Sequence, residues 1–193
     1  MNKKYAYLAI VIILVVVAIA FYCLSNNTNN TKIIEIKDNN DYKNIAYEID
    51  GQSILLKNGF AEIKATPDSA SKMKVQYFGD EFMSDINSDG QEDVVFLLTT
   101  QTGGSGTFYY VVGALNTENG YVGTDGYFLG DRIAPQTVEK SQDARHKDVI
   151  VVNYAERGEG EAMTAQPSVN KSVYLKLDKQ TNRWAIVANN FGD

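Results

Sequence analysis

Twenty consecutive residues, Tyr5 to Leu24, carry no charge. As an α-helix rising about 1.5 Å per residue, such a run spans about 30 Å, the hydrocarbon thickness of a bilayer. It is apolar on every side and a polar run follows it, so it suits lipid better than the core of a small domain. Lys3 and Lys4 precede it and no acid does, which places the N-terminus in the cytoplasm and the remainder outside. Residues 1–25 therefore read as a signal anchor and transmembrane helix. Ala18-Ile19-Ala20 has the small-x-small form of a cleavage site, but Phe21, Tyr22 and Leu24 extend the apolar run beyond it. Cys23 sits where a lipidated cysteine could, yet bulky Tyr22 precedes it. A retained anchor is favoured over cleavage or lipidation.

Residues 26–41 are dominated by Asn, Thr and Asp. Their few apolar residues cannot build a core, so they read as a polar linker. The rest, 42–193, reads as one extracytoplasmic β domain. Without residues 1–25 the chain has 24 acidic and 16 basic residues, a net charge of −8. A surface this acidic argues against a nucleic-acid partner, which needs clustered Lys and Arg to displace counterions. The chain has one Cys and one His, which leaves no zinc site of the Cys/His kind and no disulfide framework.

After Tyr42 the apolar residues fall in short runs: Ile45–Ile49, Ser53–Leu56, Phe60–Ile63 and Lys74–Tyr77. Asp50-Gly51 and Asn58-Gly59 separate the first three and are strong hairpin signals. Asp93–Thr100 and Thr107–Leu115 are continuously apolar, the mark of strands buried on both faces, and are expected at a sheet centre. Tyr127–Leu129, Val149–Tyr154, Val173–Leu177 and Trp184–Val187 complete the set. Val173, Leu175 and Leu177 are expected to point one way, with Tyr174 and Lys176 opposite. No long stretch has a helical stripe; the best helical candidate is short, Ser69 to Met73. The expectation is a mostly β fold: a single antiparallel domain, as sandwich, barrel or bent sheet, of about ten strands.

One segment carries recognisable chemistry. Asp85, Asn87, Asp89, Gly90 and Asp93 fit D-x-N-x-D-G-x-x-D. Oxygens at alternate positions turn inward around a hard cation, Gly90 permits the sharp turn, Gln91 offers a backbone carbonyl and Asp93 a further carboxylate. All candidate ligands are oxygen, so calcium is the expected ion. Position 12, where an EF-hand carries a bidentate Glu, is Phe96, and the following residues read as a strand. An EF-hand is therefore not expected.

The loop-then-strand pattern over Asp85–Leu98 resembles the calcium motif of FG-GAP and VCBS repeats, and more loosely dockerin and thrombospondin loops. That resemblance implies calcium ligands at Asp85, Asn87, Asp89 and Asp93 and an extracellular or periplasmic binding role. A single copy, rather than an array, does not imply a propeller. The external region is also similar to an uncharacterised group of bacterial membrane-anchored envelope proteins, through Gly103–Tyr110 and Leu129–Gln136; no activity follows from that likeness.

Other segments favour structure over chemistry. The Gln101–Gly106 loop lacks the lysine and helix of a phosphate loop and reads as a hairpin connection. Asp131 and Arg132, adjacent in a strand, are expected to face opposite sides and to pair elsewhere. His146 is expected in an exposed turn. Glu159 and Glu161 lie in a loop that could line a cleft. The first reading is a membrane-tethered, calcium-stabilised binding or scaffold module, with an envelope protein or glycan as partner. The alternatives are a small envelope hydrolase using loop carboxylates and an accessory subunit of a membrane complex.

Overall fold

The computed structural model describes residues 40–65 and 70–187. The anchor, most of the linker, Ser69 and the last six residues lie outside the described residues. Among the described residues no helix is long and apolar enough to cross a membrane.

The fold is mostly β, in three antiparallel sheets. Asp41 caps a 3-10 turn, Tyr42–Asn44, by accepting the Lys43 amide at 2.8 Å. A two-stranded sheet follows, β1 (Ala46–Ile49) with β2 (Gln52–Leu55). Asp50 and Gly51 join them with φ of 51° and 77°, the doubly positive turn whose twist matches a hairpin. The largest sheet runs in the order β3 (Phe60–Lys64), β4 (Lys72–Ser84), β5 (Asp93–Gln101), β6 (Phe108–Thr117), β7 (Gly120–Gly123), with β8 (Tyr127–Asp131) also on β6. A four-stranded sheet runs β12 (Arg183–Ile186), β11 (Val169–Asp178), β10 (Val149–Glu156), β9 (Ala134–Lys140).

The continuously apolar strands sit at the centre, as their composition requires. Along β5, Val94, Phe96 and Leu98 enter one buried cluster with Tyr47, Ile49, Ile54 and Leu56 of the first hairpin. Val95 and Leu97, on the opposite face, enter a second with Ile150, Val152, Leu175, Leu177 and Trp184 of the four-stranded sheet. The hairpin thus covers one face of the central sheet and the four-stranded sheet covers the other. Alternation in β11 follows expectation, with Leu175 and Leu177 buried and Lys176 half-buried. Phe96 is fully buried, with the rings of Tyr42, Tyr47 and Tyr77 centred 5.6, 5.5 and 5.2 Å away.

Several expectations need correction. Lys72 and Met73 open β4 and form no helix, because Met73 is a buried strand position paired with Ile63. β4 runs on to Ser84 through a bulge: Phe78 pairs with Leu97 and Phe82 with Val95, leaving Gly79, Asp80 and Glu81 opposite Phe96. Asp131 and Arg132 pair with each other, the guanidinium Nη2 lying 2.6 Å from Oδ2. Arg132 has φ of 50°, which swings its side chain out of strand alternation. His146 is buried, 8% exposed; its Nδ1 lies 2.7 Å from Ser141 Oγ and its ring meets Tyr174 edge-on. Strands β7 and β9 were not expected.

Candidate functional site

The Asp85–Glu92 loop is the connection of the β4–β5 hairpin. Hairpin register brings its two ends together, because Ser84 pairs with Asp93. Ile86 is fully buried among Val95, Leu97 and Trp184 and roots the loop in the second cluster. Gly90, with φ of 90°, turns the chain as position six of such a loop demands. Ser88 also takes a left-handed conformation, φ 55°, and donates through Oγ to Asp148 Oδ2 at 2.5 Å.

The polar side chains turn toward their own loop. Asp85 accepts the Asp89 amide on Oδ1 at 3.1 Å and the Gly90 amide on Oδ2 at 3.0 Å. Asn87 Oδ1 accepts the Asp89 amide at 2.8 Å, and its Nδ2 donates to Asp89 Oδ2 at 2.9 Å. Asp89 Oδ1 accepts the Gln91 amide at 2.8 Å. Asp85, Asn87, Asp89 and Gln91 are therefore wound into one turn with oxygens at alternate positions. Among the described residues no three carboxylate, imidazole or thiol groups form a cluster that could hold a metal ion.

Asp93 differs from the other four. It is fully buried, and its two oxygens accept the Ile86 amide at 3.0 Å and the Asn116 amide at 2.9 Å. It thereby ties the loop to β5 and to the end of β6. Burial pushes its carboxyl up, the two amides act against this, and Asp89 and Asp85 push it further up. Among the described residues no Lys or Arg lies within 4.0 Å of Asp85, Asp89 or Asp93 in an ion pair. The loop's side-chain acceptors are all oxygen, the donor type a hard cation prefers, and among the described residues no basic side chain pairs with its carboxylates, but the three carboxylates do not converge as a metal cluster.

Other sequence candidates serve their own loops. Glu161 accepts the Gly158 amide at 2.7 Å and caps its turn. Arg157 donates to the carbonyls of Ala165 and Arg132. Gly103 and Gly104 lie in the β5–β6 connection.

Sequence reasoning missed a polar cleft of about 600 Å³ between the β1–β2 turn, the β7–β8 connection and the β11–β12 turn. Glu48, Asp50, Asp125, Asn182 and Arg183 face it. These residues are scattered along the chain, and only the Asp50-Gly51 turn signal drew notice to any of them. Asp125 Oδ1 accepts the Trp184 amide at 3.0 Å; burial pushes its carboxyl up, while the Trp184 amide and Arg183 act the other way. Comparison with known protein families, with curated proteins and with solved structures finds no match to this chain.

Proposed function

We propose that this chain is a membrane-tethered, extracytoplasmic binding or scaffold module of the cell envelope, stabilised by calcium in the Asp85–Asp93 loop. The observation that carries the calcium reading is Asp93. A fully buried carboxylate, flanked by two more and paired with no basic side chain, is costly unless a cation joins it. Asp85, Asn87, Asp89, Gln91 and Asp93 would hold the ion. Bound there, it would lock the β4–β5 connection to the central strands, a structural role. The uncharged run Tyr5–Leu24, with Lys3 and Lys4 before it, supports the tether and the outward placement of the domain.

Thermal melting of the full chain in detergent tests the calcium reading. With calcium at a hundredfold excess over Kd, linkage contributes about 2.7 kcal/mol. For a domain of this size that raises Tm by about 5–10 °C. Magnesium at the same concentration should do less, since it demands a tighter octahedral shell. An unchanged Tm in millimolar calcium sinks the reading.

One observation favours a second reading, a small hydrolase using loop carboxylates. Asp125, pushed up by burial, faces the same cleft as Glu48 and Asp50, and carboxyl groups that share a cleft are the groups acid–base catalysis uses.

A further inference from the structure

The cleft at the β1–β2 turn has the makings of a ligand site unrelated to the calcium loop. Its volume of about 600 Å³ falls within the range of about 300–1,000 Å³ usual for small-molecule sites. Three separate turns form it, and backbone bonds fix the β7–β8 connection against both of the others: Gly126 donates to the Glu48 carbonyl at 2.7 Å and Asp125 to the Asn182 carbonyl at 3.1 Å. Gly123 and Gly126 line the cleft because nothing larger fits. A Cβ on Gly123 would lie 2.1 Å from the Ala46 carbonyl oxygen, and one on Gly126 would lie 2.5 Å from Ile49 Cδ1. The cleft wall is thus fixed backbone.

Its polar groups are partly committed and partly spare. Asp50 receives the Tyr110 hydroxyl on Oδ2 at 2.7 Å, which commits one oxygen of this exposed carboxylate. Asp125 uses Oδ1 on the Trp184 amide, leaving Oδ2. Glu48 is exposed, and so is Arg183 with its five donors. Outside the cleft lining, an aromatic face reaches toward Asp50 through Tyr110. Phe128 is 49% exposed, and its ring centre is 5.4 Å from that of Tyr110, the residue that holds Asp50. Carboxylate acceptors and a guanidinium donor in the cleft, with a bare ring on the Tyr110 side of it, suit an extended molecule with hydroxyls at its edge and C–H groups on its face. A hydroxyl both donates and accepts, so it can bridge a carboxylate and a guanidinium. Three carboxylates against one guanidinium disfavour an anionic ligand.

We infer that this cleft binds a neutral or amine-bearing glycan, with Asp50, Asp125 and Arg183 taking the hydroxyls and Phe128 the apolar face of a sugar ring. The inference rests on the reading of the domain as a binding module and names its ligand class.

Binding is read by calorimetry, because the Trp184 indole lies in the second core cluster and only its backbone amide meets Asp125. The test titrates the full chain, in a detergent without a sugar headgroup, with soluble oligosaccharides of three kinds: neutral, amine-bearing and carboxylated. A saturable heat of binding is expected with the neutral or amine-bearing oligosaccharide and none with the carboxylated one. Phe128→Ala removes an exposed ring and should weaken binding about tenfold. Asp50→Asn keeps the Tyr110 bond and tolerates the positive φ, yet should weaken binding about three- to tenfold by removing the charge. Lys64→Ala, on β3, is the control and should bind as the parent does.

Three results would overturn the inference: no saturable binding of any arm, preference for the carboxylated one, or affinity unmoved by both cleft variants. Release of reducing ends would also overturn it, replacing a binding cleft with a hydrolytic one. A calcium-dependent Tm shift without glycan binding removes the cleft and leaves the calcium loop standing. Glycan binding without that shift supports the cleft alone.

Discussion

Asp93 and Glu81 flank the same hairpin and are held in opposite ways. Glu81 lies in the β4 bulge and is exposed; the Tyr42 hydroxyl donates to it at 2.6 Å and Lys43 Nζ lies at 3.0 Å. Hydrogen bonds from Tyr42, Lys43 and Tyr77 pull its carboxyl down to about 2. Asp93 is buried, has only backbone amides for partners, and is pushed up. Two amides satisfy the geometry of a carboxylate without neutralising its charge. The difference teaches that the bulge is electrostatically complete, whereas the Asp85–Asp93 loop is complete only in hydrogen bonds.

Asp93→Ala gives the largest expected effect. It orphans the buried Ile86 amide and the half-buried Asn116 amide, at a cost of about 2–5 kcal/mol in denaturant unfolding. It should also abolish any rise in Tm with calcium. Asp93→Asn keeps one acceptor but turns an amide toward the other N–H, so it should fall between. A cost for Asp93→Ala within about 0.5 kcal/mol of zero would mean that the loop does not depend on this residue.

Glu81→Gln should cost less, about 0.5–1 kcal/mol after allowance for solvent screening of an exposed pair. Its signature is pH dependence. The folded-state value of about 2 lies below the ordinary 4.5, so the Glu81 contribution is full above about pH 4.5. It is lost as pH falls toward 2. The parent should therefore lose more stability than Glu81→Gln across that window, measured by urea unfolding at fixed ionic strength. Parallel curves would show that Lys43 and Tyr42 do not hold the carboxylate in solution.

The same contrast explains what the sequence discloses. β5 and β6 were legible because Val94–Leu98 and Tyr110–Leu115 are apolar on both faces, and only a doubly covered strand needs that. The Asp50-Gly51 turn was legible because few residue pairs accept two positive φ values. β9 was not, since an edge strand containing Pro135, with no fully buried residue, shows no period. The β4 bulge broke alternation at Gly79–Glu81 and hid half of a 13-residue strand. His146 sits in a polar stretch, and its burial against Ser141 and Tyr174 is set by tertiary contacts that no local pattern records. The Asp85–Asp93 oxygens were legible as a spacing. The cleft was not, because Glu48, Asp125 and Arg183 meet only through the docking of three distant turns.

The smallest effect belongs to Ser88, and it asks whether the loop keeps its shape through its backbone or through its neighbours. Ser88 has a left-handed φ of 55° and one bond out of the loop, from Oγ to Asp148 Oδ2. Ser88→Ala loses the bond and keeps the strain, because an L side chain disfavours that conformation. Ser88→Gly loses the bond and relieves the strain. If the backbone dominates, the alanine variant should be less stable by about 0.5–1 kcal/mol and the glycine variant should lie within about 0.5 kcal/mol of the parent. Equal losses in the two variants would assign the loop's shape to the Asp148 bond. A calcium response retained in both would place the determinants of the site in Asp85–Asp93 themselves, since neither variant touches a proposed ligand.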